Sequence, residues 1–174
     1  FHAYQRQFGM SVSGAGDVDG DGHADVLVGE PALVSGKGRV YVFSGSSAGV
    51  DGYRELVGGS SSESWFGYDV DGTGDINGDG LSDVVVGAPE EEGGIGAAFV
   101  YSGSPSGIDE GSEQPLSREG ERGFGRQVAG VGDLNGDGYA DIGIIAREVG
   151  DTTGSVYLYT CLLYTSDAAD DSAC

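Results

Sequence analysis

The chain has 174 residues, with 35 glycines, 4 prolines and a formal net charge of −21. Such an acidic balance excludes nucleic acid and an anionic membrane surface as partners, because both need clustered Lys and Arg. No run reaches the roughly 18 apolar residues that span a bilayer, so direct membrane insertion is not expected, and abundant glycine with scarce proline reads as many short strands and tight turns.

The chain opens at Phe1, already inside a pattern, which reads as a cut start. The first unit covers residues 1–58. A strand is expected from Phe8-Gly9 into Val12, followed by an acidic loop, DVDGDGHAD, from Asp17. An apolar strand over 26–29, Pro31 and an alternating aromatic strand, RVYVFSG from Arg39, come next. A weaker fourth strand is expected near 53–57.

The second unit, 59–116, repeats this order at a step of 58 residues. It has Phe66-Gly67, DINGDGLSD from Asp75, an apolar run over 84–87, Pro89 and AFVYSG from Ala98, with a barely marked fourth strand near 111–116. The third unit, 117–160, has Phe124-Gly125, DLNGDGYAD from Asp133, an apolar run over 142–145 and SVYLYT from Ser155. Phe43, Tyr101 and Tyr159 keep the same step. Units of about 40–50 residues with four strands are the signature of propeller blades. The extra length here is assigned to the Ser-, Gly- and Glu-rich stretches 58–64 and 90–94. The fold expected is all-β, with three four-stranded blades.

The period predicts Gly at 161, after Gly45 and Gly103, but Cys161 stands there. The segment 161–174, CLLYTSDAADDSAC, matches nothing in the other copies and resembles the translation of a sequencing adapter. It is set aside from fold reasoning as an artefact. Both cysteines, Cys161 and Cys174, lie in it, so no disulfide or thiol chemistry is argued.

Each acidic loop reads Asp-x-(Asp/Asn)-Gly-Asp-Gly-x-x-Asp. Oxygen-bearing side chains fill positions one, three, five and nine, and calcium takes six to eight oxygens from carboxylates, carbonyls and water. Glycines at positions four and six allow the left-handed backbone that a curled loop needs. The apolar residue at position two (Val18, Ile76, Leu134) can anchor the loop inward. An EF-hand would need Glu at position twelve, where this chain has Val28, Val86 and Ile144 inside strands. Three calcium ions are expected, and loop one, with four carboxylates, should bind most tightly.

Phe-Gly, then the acidic loop, then Gly87-Ala88-Pro89 is the pattern that names the FG-GAP repeat, which this chain resembles over 1–160. Copy one has Gly29-Glu30-Pro31, and copy three departs with Ile145-Ala146-Arg147. The family is similar to the N-terminal propeller of integrin alpha chains. The resemblance implies a seven-bladed ring, of which this chain would be an open fragment, with calcium loops on the lower face and ligands on the upper. It assigns the metal ligands to Asp17, Asp19, Asp21 and Asp25; to Asp75, Asn77, Asp79 and Asp83; and to Asp133, Asn135, Asp137 and Asp141. The carbonyls of His23, Leu81 and Tyr139 would complete the three shells.

No catalytic constellation is legible. His2 and His23 are the only histidines, so no Ser-His-Asp or Cys-His arrangement can be assembled. Trp65, Phe66 and Phe124 read as packing between blades, and Arg118, Arg122 and Arg126 as a solvated loop beside Glu119 and Glu121. The function expected is a non-catalytic, extracellular or cell-surface calcium-binding module for adhesion. Its ligand would be a protein or a carbohydrate held at one propeller face. The alternative is an accessory propeller of a secreted hydrolase or phospholipase, or an architectural domain of a surface protein.

Overall fold

The computed structural model describes residues 7–32, 37–60 and 63–161. Eleven strands form three antiparallel meanders. Blade 1 contains β1 (Val12–Gly16), β2 (Asp25–Glu30), β3 (Arg39–Ser44) and β4 (Gly52–Leu56) in that spatial order. Blade 2 repeats it with β5 (Val70–Gly74), β6 (Asp83–Ala88), β7 (Ala97–Tyr101) and β8 (Gln114–Leu116). Blade 3 holds β9 (Gln127–Gly132), β10 (Asp141–Ala146) and β11 (Ser155–Tyr159). The expectation of four strands per blade is thus met twice, while the third blade has three strands among the described residues. Among those residues no helix is long and apolar enough to cross a membrane.

The first strand of each blade starts later than the sequence pattern implies. Phe-Gly is not strand but a tight turn ahead of it. Gly9, Gly67 and Gly125 have φ of 82°, 82° and 80°, and in blade 2 the Tyr68 N–H donates to the Trp65 carbonyl at 3.0 Å. Positive φ is what glycine supplies at no steric cost, so the second letter of the motif is fixed by the turn. The first letter is fixed by burial, since Phe66 and Phe124 are both fully buried.

The apolar core lies between blades. One cluster joins Ala15, Val18, Leu27, Val40, Val42 and Leu56 of blade 1 to Phe66, Val70, Val84, Val86, Phe99 and Tyr101 of blade 2. A second joins Ile76, Val85, Ala98 and Val100 of blade 2 to Phe124, Val128, Ile142, Ile144 and Tyr159 of blade 3. Strand alternation explains the division, because successive side chains point to opposite faces. In β6, Val84 and Val86 face blade 1 while Val85 faces blade 3, and the whole strand is buried. Each blade therefore has an aromatic leading face and an aliphatic trailing face. Phe66 meets Phe99 edge-on at 5.6 Å, and Phe124 meets Tyr159 edge-on at 6.4 Å, the geometry that ring quadrupoles favour.

The GAP glycine belongs to the same joint. A Cβ on Gly29 would land on the carbonyl oxygen of Gly67, in the Phe-Gly turn of the next blade, and one on Gly87 would land on the carbonyl of Gly125. Gly29→Ala is therefore expected to push blades 1 and 2 apart and to cost about 1–3 kcal/mol or more, as overpacking does. Urea unfolding measures it, and a loss within about 0.5 kcal/mol, normal for a surface site, would contradict this picture of the joint.

Two carboxylates on the inner edge of blade 2 tie all three blades together. Asp69 accepts from the Ser11 hydroxyl at 2.8 Å and from the Val128 N–H at 3.0 Å. Asp71 accepts from the Ser13 hydroxyl and, at 3.0 Å, from the Gly130 N–H.

Candidate metal loops

The three acidic loops connect β1 to β2, β5 to β6 and β9 to β10, so all lie at the same end of their blades. Each is preceded by a bulge or register shift in the β1–β2, β5–β6 or β9–β10 pairing. The glycines at loop positions four and six all have positive φ, from 75° at Gly20 to 97° at Gly138.

The same hydrogen-bond net recurs three times. In loop one, Asp17 Oδ1 accepts from the N–H groups of Gly20 and Asp21 at 2.8 and 3.1 Å, and its Oδ2 accepts from Gly22 at 3.0 Å. Asp19 accepts from the Asp21 N–H at 3.1 Å, and Asp21 from the His23 N–H at 2.8 Å. Loop two repeats every one of these bonds with Asp75, Asn77 and Asp79 as acceptors. Loop three does so with Asp133, Asn135 and Asp137. Four backbone N–H groups thus make five bonds to four oxygens of three side chains in each loop. In loop one the ligand atoms of Asp17, Asp19 and Asp21 lie within 4.8 Å of one another.

The ninth-position aspartates stand apart. Asp25, Asp83 and Asp141 are buried, and both oxygens of each are engaged by backbone. One accepts from the N–H at loop position two, from Val18, Ile76 and Leu134 at 2.9, 2.9 and 2.7 Å. The other accepts from Gly45, Gly103 and Cys161 at 2.8, 2.8 and 3.0 Å, just past the third strand. These carboxylates pin the loop to the blade, a role the sequence pattern does not reveal. In blade 3 the Cys161 N–H makes the bond that Gly45 and Gly103 make in the other two; residues 162–174 lie outside the described residues.

Charge shapes the loops as well. Burial pushes the Asp83 carboxyl up to about 6, against the amide bonds from Ile76 and Gly103 that pull it down. Burial also raises Asp19, with Asp25, Asp21 and Asp17 adding repulsion. Asp133 is lowered, chiefly by the Gly138 N–H. A set of carboxylate and amide oxygens on a preorganised loop is the donor chemistry of a hard divalent cation.

The position-two anchors divide. Val18 and Ile76 are buried as expected, but Leu134 is 53% exposed, on the trailing face of blade 3. Trp65 departs from the core reading too. Its φ is 56°, it is half-buried, and its ring stacks on Tyr68 at 5.6 Å. Arg126 lies over the other partner, 4.7 Å from the Tyr68 centroid. This turn precedes β5, whereas loop two follows it, so the Trp65–Tyr68–Arg126 cluster sits at the end of the blades away from the acidic loops. The other two arginines are not simply solvated beside Glu119 and Glu121. Arg122 pairs with Glu148 at 3.0 Å, and Arg118 lies 4.6 Å from the Tyr157 centroid.

Antiparallel meanders of three or four strands packed face to face, each with an acidic loop at the same corner, define blades of a β-propeller in an open array. Comparison with known proteins agrees. The FG-GAP repeat pattern matches residues 8–43, and the FG-GAP-like repeat pattern matches 75–144. The chain belongs to the FG-GAP repeat family. It is 37% identical over 145 residues to integrin alpha-4 of Xenopus laevis, covering 79% of this chain and 14% of that one. It is 34% identical over 143 residues to integrin alpha-6 of Gallus gallus, covering 79% of this chain and 13% of that one. With integrin alpha-5 of Xenopus laevis it shares 35% over 162 residues, 84% of this chain and 15% of the relative. The chain thus spans about one seventh of the length of these relatives.

Proposed function

We propose that each acidic loop binds one calcium ion and that the chain is a non-catalytic adhesion or ligand-binding module of an extracellular or cell-surface protein. The observation that carries the reading is the threefold repetition of one hydrogen-bond net around inward oxygens. Asp17, Asp19, Asp21 and Asp25 would hold the first ion with the His23 carbonyl. Asp75, Asn77, Asp79 and Asp83 would hold the second with the Leu81 carbonyl. Asp133, Asn135, Asp137 and Asp141 would hold the third with that of Tyr139. The ion would supply the positive charge that three or four converging carboxylates lack. The chain's own part is to fix the oxygens by backbone N–H bonds, so that little loop entropy is lost on binding.

The similarity to integrin alpha chains supports an adhesive role at the cell surface with a protein ligand, and nothing on the described surface favours carbohydrate. The end of the blades bearing Trp65, Tyr68 and Arg126 is the face proposed to meet the ligand. A left-handed non-glycine residue marks stored strain of the sort found at binding sites.

Loop one, with its fourth carboxylate, should bind most tightly. Asp17→Ala is expected to lower calcium affinity more than Asp133→Ala, read by competition against a chelating dye. The reverse order would overturn the ranking. Loop two should also be pH-sensitive. Below about pH 6 the Asp83 carboxyl holds a proton that the ion must displace, because ligands bind deprotonated. Affinity there is expected to fall as pH drops through that value, with proton release at about pH 6 and little at about pH 8. Calorimetry in buffers of different ionisation enthalpy reports the release, and its absence near pH 6 would contradict Asp83 as a ligand.

A further inference from the structure

The chain has two asparagines, Asn77 and Asn135, and each is followed by glycine. They hold position three of loops two and three, where loop one has Asp19 followed by Gly20. Asparagine before glycine is the pair most open to attack by its own backbone. The glycine nitrogen can lose its proton and attack the side-chain amide carbon, and no Cβ on the glycine obstructs the ring that forms. Gly78 and Gly136 are both exposed, so water reaches each pair.

In the closed loop both reacting groups are held elsewhere. The Gly78 N–H donates to Asp75 Oδ1 at 2.6 Å, and the Gly136 N–H to Asp133 Oδ1 at 2.7 Å. A proton held by a carboxylate is given up reluctantly, because the amide anion left behind would face a like charge. The amide under attack is fixed as well. Asn77 Oδ1 accepts from the Asp79 N–H at 2.8 Å, and Asn135 Oδ1 from the Asp137 N–H at 3.0 Å. Loop two has a further tie beyond the loop, from Asn77 Nδ2 to the Ser102 hydroxyl oxygen at 3.3 Å.

We propose that Asn77 and Asn135 are sites of spontaneous deamidation, and that the position-one aspartate of each loop restrains the reaction for as long as the loop stays closed. In loop two the Gly78 nitrogen forms a bond to Asn77 Cγ, the Cγ–Nδ2 bond breaks, and ammonia leaves with the proton from the Gly78 nitrogen. Water then opens the succinimide ring at either carbonyl. One opening gives aspartate, which adds a negative charge and leaves loop two with the four carboxylates of loop one. The other gives isoaspartate, which puts one more carbon into the backbone between positions three and four and carries Gly78 away from Asp75. On the calcium reading, the first product should tighten loop two, since charge count tunes affinity, and the second should spoil it.

Peptide mass mapping of the full chain, incubated at mildly alkaline pH in chelator, folded and in urea, tests this. Every arm lacks calcium, so the result is independent of whether the loops bind it. The folded chain is expected to gain the mass of an amide-to-acid change at Asn77 and Asn135. Its rates should lie roughly 5- to 150-fold below those in urea, which corresponds to about 1–3 kcal/mol and to the two hydrogen bonds that must open in each loop. Asp75→Ala should bring Asn77 close to the urea rate and leave Asn135 slow, and Asp133→Ala should do the reverse. Equal rates in the folded and urea-unfolded wild type would overturn the restraint. So would an Asp75→Ala chain in which Asn77 reacts no faster than before. Acceleration of both asparagines by either variant would show that the loops open together, which contradicts a restraint held within each loop. No mass gain at either residue in urea would overturn the sites themselves.

Discussion

Phe66→Ala is expected to cost about 3–5 kcal/mol, the range for truncating a buried phenylalanine, while Phe8→Ala at the same place in the repeat should cost no more than about 0.5 kcal/mol. Phe66 is fully buried, meets Phe99 and Tyr101, and fills the joint between blades 1 and 2. Removing it leaves a cavity that strand backbones on both sides keep from collapsing. Phe8 also precedes a turn glycine and meets Tyr41 at 5.3 Å, but is 58% exposed. The pair separates the energetics of the motif from those of the joint. Urea unfolding of both variants gives the answer, and equal losses would mean that the core is not between the blades.

Asp83→Ala should be the most damaging change in the acidic loops even without calcium. It would strand the N–H groups of Ile76 and Gly103, both now paired with Asp83 at 2.9 and 2.8 Å in a fully buried setting. Each orphaned buried donor costs about 1–3 kcal/mol, so the sum is about 2–6 kcal/mol. Asp83→Asn should recover part of this, because an amide offers one oxygen where two are needed. Asp79→Ala makes the contrast. Asp79 is exposed, and its removal frees only the Leu81 N–H to water. It should leave the calcium-free stability almost unchanged while weakening ion binding. Thermal melts in chelator and in calcium read both variants. A calcium-free Asp83→Ala protein as stable as the wild type would contradict the pinning role.

The strand order, the loop positions and the joint-filling phenylalanines were legible in the sequence because each is written in a local pattern. Val84 to Val86 reads as a buried strand on its own, and DINGDGLSD reads as a loop wherever it falls. Features that depend on an incoming neighbour were not legible. Phe-Gly reads as the start of a strand, but the chain turns there, with the Gly67 carbonyl packed against Gly29 of the preceding blade. Leu134 follows the anchor pattern, but no described residue packs over it as blade 2 packs over Val18. Asp69 and Asp71 bind partners 58 and 59 residues away, and no periodic signal marks them, since Ser11 and Gln127 occupy the places matching Asp69 and Ser13 and Ala129 those matching Asp71. The ninth-position aspartates are legible as loop oxygens, but their bonds to Gly45, Gly103 and Cys161 depend on how the third strand ends.

Trp65 shows a different limit. Beside Phe66 it reads as a second packing aromatic, yet the turn that buries Phe66 rotates its neighbour outward. The left-handed conformation at Trp65 comes from closing that turn, and local sequence carries no sign of it because non-glycine residues seldom adopt it.

The most direct test is a calcium titration of the full chain by calorimetry, with strand content and melting temperature followed in parallel. Three loops with one shared geometry predict about three ions bound, with affinities of about 10⁻⁴–10⁻³ M if the setting is extracellular. They also predict a rise in melting temperature that grows with calcium by mass action. Failure of the folded chain to bind at millimolar calcium, with no shift in melting, would contradict the calcium-loop reading and leave the three nets as acidic turns.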